Sequence, residues 1–445
     1  LVGSEMCIRD SSYIVQNMEF EFPSVIIDLN SSQLRAGISN CDLPTVLVPT
    51  AYSKLNDSGS NGKKYAFDDD IDLHPESDIY TLFNDGVLYN WDAMPEYLNF
   101  IYKKLQVDVN KQEIPLVLAE NAWTPNKSKS KALEVAFENL EVPLFSLLKR
   151  QVCTAYSLSK PSAAVVVDVD DDFVSVTPVS NGRVLSKGIV RTKYGGNYLR
   201  LFAMEYIKSQ LANGKSQDNI EDALIPRYFQ GKNMKMSDSF KRYQTGKSLD
   251  DFKENILTSS LLKVDPLQKD IPRDNQLGLT RGAGPLEQKN YELPNKYTIK
   301  NIGIDQYKLA EPIFRPYEYA KWLDPVNAYG VSSDAEGVGS LIFTSMKNVG
   351  GTGEMYVNLL NNIVISGSTS YLPQMEQRII QDLRMYVQDY SLSTYLAPDM
   401  IERAADSWIG ASILTSCAVA DFDHLFVTRE EYLENGEGYA LEKFK

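Results

Sequence analysis

Two apolar strands that each end in aspartate, Val25-Ile26-Ile27-Asp28 and Val165-Val166-Val167-Asp168, stand 140 residues apart, and each leads through a tight turn into another strand. This is an internal duplication, and it restricts the chain to folds built from two related halves. The second copy continues Asp168-Val169-Asp170-Asp171-Asp172-Phe173-Val174-Ser175-Val176-Thr177-Pro178, and Asn181-Gly182 then supplies the two left-handed residues of a type I′ hairpin before Arg183-Val184-Leu185. The first continues Asp28-Leu29-Asn30-Ser31-Ser32-Gln33-Leu34-Arg35-Ala36-Gly37. Paired strand-turn-strand units let backbone N–H groups from two turns converge on one anion. Both turns are short of glycine, and that shortage bears directly on function.

At 445 residues and 43% hydrophobic, the chain can bury a large core and should divide into lobes. No apolar run approaches the roughly 18 residues that span a bilayer, and no basic n-region precedes a hydrophobic segment. The expectation is a soluble intracellular protein. Cys7, Cys41, Cys153 and Cys417 lack CxxC spacing, and His74 and His424 are the only histidines, so neither a zinc site nor a Cys/His nucleophile is expected. A net charge of −14 opposes direct binding to nucleic acid. Work near DNA therefore needs a basic intermediary. Residues 1–17 fit nothing that follows and read as a non-native or disordered leader.

Residues 53–78 are polar and acidic, with Asp68-Asp69-Asp70, and read as a mobile flap. Trp91, Leu98, Ile101 and Leu105 mark an amphipathic helix with Asp92 as its N-cap. Pro115-Leu116-Val117-Leu118 predicts a buried strand, followed by a helix carrying Leu133, Ala136, Phe137 and Leu140. From about 210 to 290 the chain is polar and punctuated, an inserted small lobe with one helix around Asp251–Leu257. Strand character returns at Tyr291-Glu292-Leu293-Pro294 and runs to Ile302. The Gly-, Ser- and Asn-rich stretch 324–353 predicts a loop. Asn362–Ser366 is a strand entering a small-residue turn, before a helix from Pro373 with Met375, Ile379, Ile380, Leu383 and Val387 inward. Ser407–Leu414 opens another packed helix, and Thr428 to Glu431 is a capping box. Strands alternating with helices make an α/β pattern.

In this order, Asn90-Trp91-Asp92, the two Asp turns, Tyr291-Glu292-Leu293-Pro294, Glu311-Pro312-Ile313-Phe314, Ser366-Gly367-Ser368-Thr369 and Trp408-Ile409-Gly410 resemble the actin family over roughly residues 22–435. Within it, Val87-Leu88-Tyr89-Asn90-Trp91-Asp92, Val190-Arg191-Thr192-Lys193-Tyr194-Gly195-Gly196 and Ile363–Ser370 leading to Met375–Ile380 are most similar to fungal actin-related subunits of SWI/SNF-type and RSC-type chromatin remodellers. The resemblance implies an α/β, actin/Hsp70/hexokinase-like duplicated fold with four subdomains around a central cleft. Subdomain 1 would comprise 18–52, 86–160 and 410–445; subdomain 2 the flap 53–85; subdomain 3 residues 161–196 and 291–409; and subdomain 4 residues 197–290 with the insertion. ATP would lie between the Asp28 and Asp168 turns.

The chain departs from that pattern where phosphate would bind. The family has Gly-Ser-Gly in the first turn and Asp-Ser-Gly-Asp-Gly in the second; here stand Asn30-Ser31-Ser32 and Asp168-Val169-Asp170-Asp171-Asp172. A Cβ blocks close backbone approach to phosphate. Each added carboxylate about 5 Å from a phosphate charge would cost on the order of 3 kcal/mol at an effective dielectric near 20. A second reading turns these aspartates outward as a solvated loop. Ungapped counting from Asp168 puts Gln151 at the family's water-orienting glutamine, although it also reads as an ordinary helix-end residue. Ser175 stands where the family has histidine and cannot replace an imidazole in proton transfer. The resemblance assigns Asp28, Ser31, Arg35, Asp168, Gly196, Lys253, Glu254, Gly367 and Ser368 to nucleotide contacts. Lys253/Glu254 read equally as a solvated helix face and the Ser-Gly loop as a helix start. Ala404 replaces a family lysine.

The resulting expectation is a non-catalytic nuclear scaffold that requires no cofactor and holds ATP weakly if at all. It would pair with a second nuclear actin-related protein, clamp the helicase-SANT-associated helix of a Snf-type ATPase, touch chromatin only indirectly, and associate with neither membranes nor filaments. The flap lacks an apolar tip for filament docking. The alternative is an ATP-hydrolysing actin-like switch or cytoskeletal protein.

Overall fold

The two aspartate-tipped strands occupy equivalent places in two sheets. A computed structural model describes residues 23–39, 41–55, 64–107, 114–213, 220–231, 234–269, 287–323, 330–350, 353–417 and 422–444; the expected leader 1–17 lies outside them. The first sheet runs Val427–Thr428, Leu144–Lys149, Leu116–Glu120, Val25–Leu29, Gln33–Ile38, Val46–Pro49. The second runs Arg183–Val184, Val174–Ser180, Ala163–Val169, Ile363–Ser366, Thr394–Tyr395. In each, an antiparallel hairpin is followed on its other side by a parallel strand. Asp28 faces Arg35 across the hairpin and Ala119 on the parallel side. Asp168 faces Ser175 and Ser366 in the same way. The duplication is therefore one of register as well as sequence.

Continuous apolar runs form these strands because both faces are covered. Val25–Leu29 and Leu116–Glu120 are buried throughout. Asn181 (φ 50°) and Gly182 (φ 69°) make the expected hairpin turn between Ser180 and Arg183. The capping box is present: Glu431 N–H donates to Thr428 Oγ1 at 3.0 Å, and Thr428 N–H to Glu431 at 2.9 Å, opening the helix Arg429–Lys443.

Several expectations need correction. The helix after Trp91 is Met94–Lys104, and its N-cap is Ala93 without a side-chain cap, because Asp92 lies within a turn closed by Met94 N–H on Trp91 C=O. The acidic flap is anchored in its described part: Tyr65–Phe67 pairs with Ala51–Lys54, and Phe67 and Ile71 are buried. The helix expected around 251–257 is the far end of the longer Asp238–Ile256, and Ile220–Leu224 adds another. In 324–353, a loop through Gly337 leads into a helix, Val338–Val349. Its small residues serve packing, since a Cβ at Gly339 would press on Asp382 and one at Gly337 on the Phe314 backbone. On the helix Met375–Arg384, Ile380 is only half-buried and the fully buried Arg378 takes the inner face. Its guanidinium meets the equally buried Glu311 at 2.6 and 2.8 Å.

Each sheet carries its own apolar core, one spanning Val25 to Phe444 and the other Val165 to Val387. Between them pack the helices Arg150–Ser157 and Asp406–Cys417, so closely that a Cβ at Gly410 would overlap the Cys153 backbone. Trp408 Nε1 donates to Ile26 C=O at 3.1 Å, fixing the second helix under the first sheet. No helix among the described residues is long and apolar enough to cross a membrane. Cys41 and Cys153 form no disulfide among the described residues, and burial raises the Cys153 thiol above its ordinary pKa.

Candidate functional site

The C-terminal ends of Val25–Leu29 and Ala163–Val169 bring Asp28 and Asp168 together at the cleft floor, both buried. Between them lies a residue that sequence reasoning missed. Arg150, first residue of its helix, reaches across the floor: Nε donates to Asp28 Oδ1 at 2.8 Å, and Nη1 lies 3.5 Å from both Asp168 Oδ2 and Asp170 Oδ2. Nη1 also donates to Asn121 Oδ1 at 3.2 Å. Burial alone would lower the guanidinium pKa, but the charges of Asp28, Asp168 and Asp170 outweigh it and raise it. Burial, then the neighbouring Asp170, pushes the Asp168 carboxyl up to about 7 against the pull of Arg150. Arg35, opposite Asp28, adds a second buried cation with Nη1 3.6 Å from Asp28 Oδ2.

The aspartates of the second turn point inward, which excludes the solvated-loop reading for Asp170 and Asp171. Asp170 is fully buried and accepts from both halves of the molecule. Asn30 Nδ2 donates to its Oδ2 at 2.7 Å, while Ser368 N–H and Oγ donate to its Oδ1 at 3.2 and 3.1 Å. Asp171 accepts from Lys253 Nζ at 2.6 Å, and Lys253 also meets Asp250 at 3.2 Å. Burial would raise the Asp171 carboxyl, yet Lys253 and then Arg200 hold it at about 2. Asp172 is half-buried and accepts from Asn197 Nδ2 at 2.5 Å.

These contacts account for the expected site residues one by one. Asp28, Arg35, Asp168 and Ser368 converge on the floor with Arg150 and Asp170. Gly367 (φ 94°) makes the turn that aims Ser368, and a Cβ there would press on the Val169 carbonyl and Asp168 Oδ1. Gly196 is a close-approach position, but the groups crowding it are Asp171 Oδ1, Thr369 Oγ1 and Lys253 Nζ. Lys253 points inward, whereas Glu254 lies on the exposed side of its helix and senses Lys253, Asp250 and Asp171 only through their charge. Ser31 is buried beside a cavity of about 550 Å³ that Thr81, Phe83, Asn84, Asp85 and Asp172 also line. Gln151 is held, its Nε2 donating to Asn121 Oδ1 and its Oε1 accepting from Ala122 N–H, both at 3.0 Å. Ser175 is fully buried, and its Oγ has no partner among the described residues.

In the pose expected from the sequence, a nucleotide's phosphates would meet side chains of the chain itself. The place between the two turns, where donors of both halves meet, holds the Asp170 carboxylate. The space beside Gly196 holds Asp171 and Lys253. Among the buried polar atoms without hydrogen-bond partners are Asp28 Oδ2 and Asp168 Oδ1. Among the described residues no group of three or more acidic, His or Cys side chains is arranged to hold a metal ion.

Arg150 stands in the polar triplet Lys149-Arg150-Gln151 after the apolar end of Leu144–Leu148, so its burial carried no signal in the sequence. Asn30, Asn121 and Asp250 offered none.

Two sheets with this duplicated register around a cleft define an actin-type α/β fold, of the actin/Hsp70/hexokinase-like class. The actin family profile matches residues 20–445, and the chain belongs to the actin family. It is 28% identical to Actin-related protein 4 of Yarrowia lipolytica, over 95% of this chain and 96% of that protein. It is 27% identical to the SWI/SNF and RSC complexes subunit arp42 of Schizosaccharomyces pombe, over 95% and 98%. To Actin-related protein 7 of Saccharomyces cerevisiae it is 27% identical, over 87% and 91%.

Proposed function

We infer that this chain is a nuclear, non-catalytic actin-related subunit of an ATP-dependent chromatin remodelling complex. It pairs with a second nuclear actin-related protein and grips the helicase-SANT-associated helix of the remodelling ATPase, reaching chromatin through these partners. The observation that carries the non-catalytic part is the cleft floor: Arg150 and Asp170 occupy the position between the turns, Gln151 is bonded to Asn121 and Ala122, and Ser175 offers no base. Support for the complex comes from the S. pombe relative, whose name places it in SWI/SNF and RSC complexes. The net charge of −14 suits capture of a basic helix and disfavours direct binding of DNA. Tagged protein purified from nuclear extract tests the reading: a stoichiometric remodelling ATPase with a second actin-related protein supports it. Recovery alone or with actin filaments, together with sustained phosphate release in Mg²⁺, would move the ATP-driven switch ahead of it.

A further inference from the structure

The cleft is tied across at a second place, far from its floor. The excursion from the first half meets the lobe inserted in the second half through an apolar cluster of Ile71, Ile225, Phe229 and Phe240, with Ala51, Ile79, Met236 and Tyr243 packed around it. Ile71 and Phe240 are fully buried. The rings of Phe229 and Phe240 meet edge to face at 5.1 Å. Polar groups zip the rim of this cluster. Ser237 N–H donates to Pro75 C=O at 2.8 Å and Ser237 Oγ to Ser77 C=O at 2.8 Å. Ile79 N–H donates to Ser239 Oγ at 3.0 Å, Ser239 Oγ to Asp78 at 3.0 Å, and Gln244 Nε2 to Asp72 at 2.6 Å. Ser237 also caps the helix Asp238–Ile256 by accepting from Phe240 N–H, so the contact is built on a rigid element.

We propose that the two halves are locked closed by the chain's own side chains, at the floor by Arg150, Asp170 and Asn30 and at the mouth by the Ile71–Phe240 seal, so that no nucleotide is needed to fix their arrangement. The physical case rests on independence and sign. The floor joins the halves through charge: Arg150 and Asn30 from the first half meet Asp168 and Asp170 from the second. The mouth joins them through burial of apolar surface, which does not depend on ionisation. At the rims Ile71 and Phe240 are buried completely by the chain's own side chains. The consequence is a subunit that offers partners one fixed relation of its halves. This holds whichever complex the chain serves.

Hydrogen exchange on the full chain tests the lock, with the Ile79 and Ser237 amides reporting on the mouth and the Val165 and Val167 amides on the second sheet. In nucleotide-free protein the two mouth amides are expected to exchange slowly, and about 5 mM MgATP to leave their rates unchanged. Phe240→Ala should accelerate both by about tenfold or more while Val165 and Val167 keep their rates. If Phe240→Ala unfolds the second sheet, Ser239→Ala carries the test: it removes the acceptor of the Ile79 amide together with the bonds of that hydroxyl to Asp78 and Ser237 Oγ, and should accelerate the Ile79 amide most. Mouth amides that exchange freely without nucleotide, slow only when MgATP is added, or ignore both substitutions would overturn the proposal.

Discussion

Replacing Arg150 by methionine keeps much of the side chain's bulk and removes the one cation among the described residues that touches Asp28, Asp168 and Asp170 together. At an effective dielectric near 20, each of these contacts is worth on the order of 5 kcal/mol of attraction. The sum would exceed the whole stability of an ordinary domain, so the native variant will take up a proton rather than bury three anions. Protonating an aspartate of ordinary pKa costs roughly 5 kcal/mol at pH 7.5 and roughly 2 kcal/mol at pH 5.5, which caps the loss. Breaking a buried pair typically costs about 3–5 kcal/mol, within the cap at pH 7.5, whereas at pH 5.5 protonation holds the loss to about 2 kcal/mol. The sign follows: without Arg150, whose charge holds Asp168 down, the variant's native carboxyls bind protons more tightly than those of the wild type, so its stability deficit grows as pH rises and shrinks as pH falls. Urea unfolding followed by tryptophan fluorescence at the two pH values measures the deficit. Arg150→Met/Asp170→Asn should recover part of it, since asparagine removes one anion yet can still accept from Ser368. A loss below about 1 kcal/mol, or one equal at both pH values, would refute the claim that Arg150 neutralises the floor.

Two further outcomes follow from buried groups. Burial, outweighing Lys129 at 3.8 Å and Lys149, pushes the Glu120 carboxyl up to about 8, so between the unfolded pKa and that value the native state holds a proton that the unfolded chain releases. Wild-type stability should therefore fall relative to Glu120→Gln by about 4 kcal/mol from pH 5 to 8.5, and parallel curves would contradict the assignment. Gly410→Ala forces a methyl onto the Cys153 carbonyl where two helices meet, and should cost about 1–3 kcal/mol in the same assay; an unchanged midpoint would show that the pair can separate without loss.

The duplication was legible because it is written twice in the same local code: an apolar strand, an aspartate, a turn and a second strand. Register then carried Asp28 and Asp168 to matching places. The Thr428 capping box and the Asn181-Gly182 turn were legible for the same reason, since their partners lie within a few residues. The contents of the cleft were not. Arg150 meets Asp28 across 122 residues, and Asn30 meets Asp170 across 140. A run of three aspartates after Val169 reads as solvated because burial of charge is costly, and the cations that make it tolerable, Arg150 and Lys253, stand in separate elements. Ile71 was hidden in the same way, by Asp68-Asp69-Asp70 and Asp72 on either side of it. The helix Val338–Val349 escaped notice because Gly337 and Gly339 looked like loop residues, when they are small to admit Phe314 and Asp382.

If the chain's own side chains fix its cleft, thermal unfolding of the purified protein with and without MgATP will show it. A site with a dissociation constant one hundredth of the nucleotide concentration would add about 2.7 kcal/mol of stability, a shift easily read. The account predicts no change in midpoint at millimolar MgATP. A rise of several degrees that Asp28→Ala abolishes would contradict it.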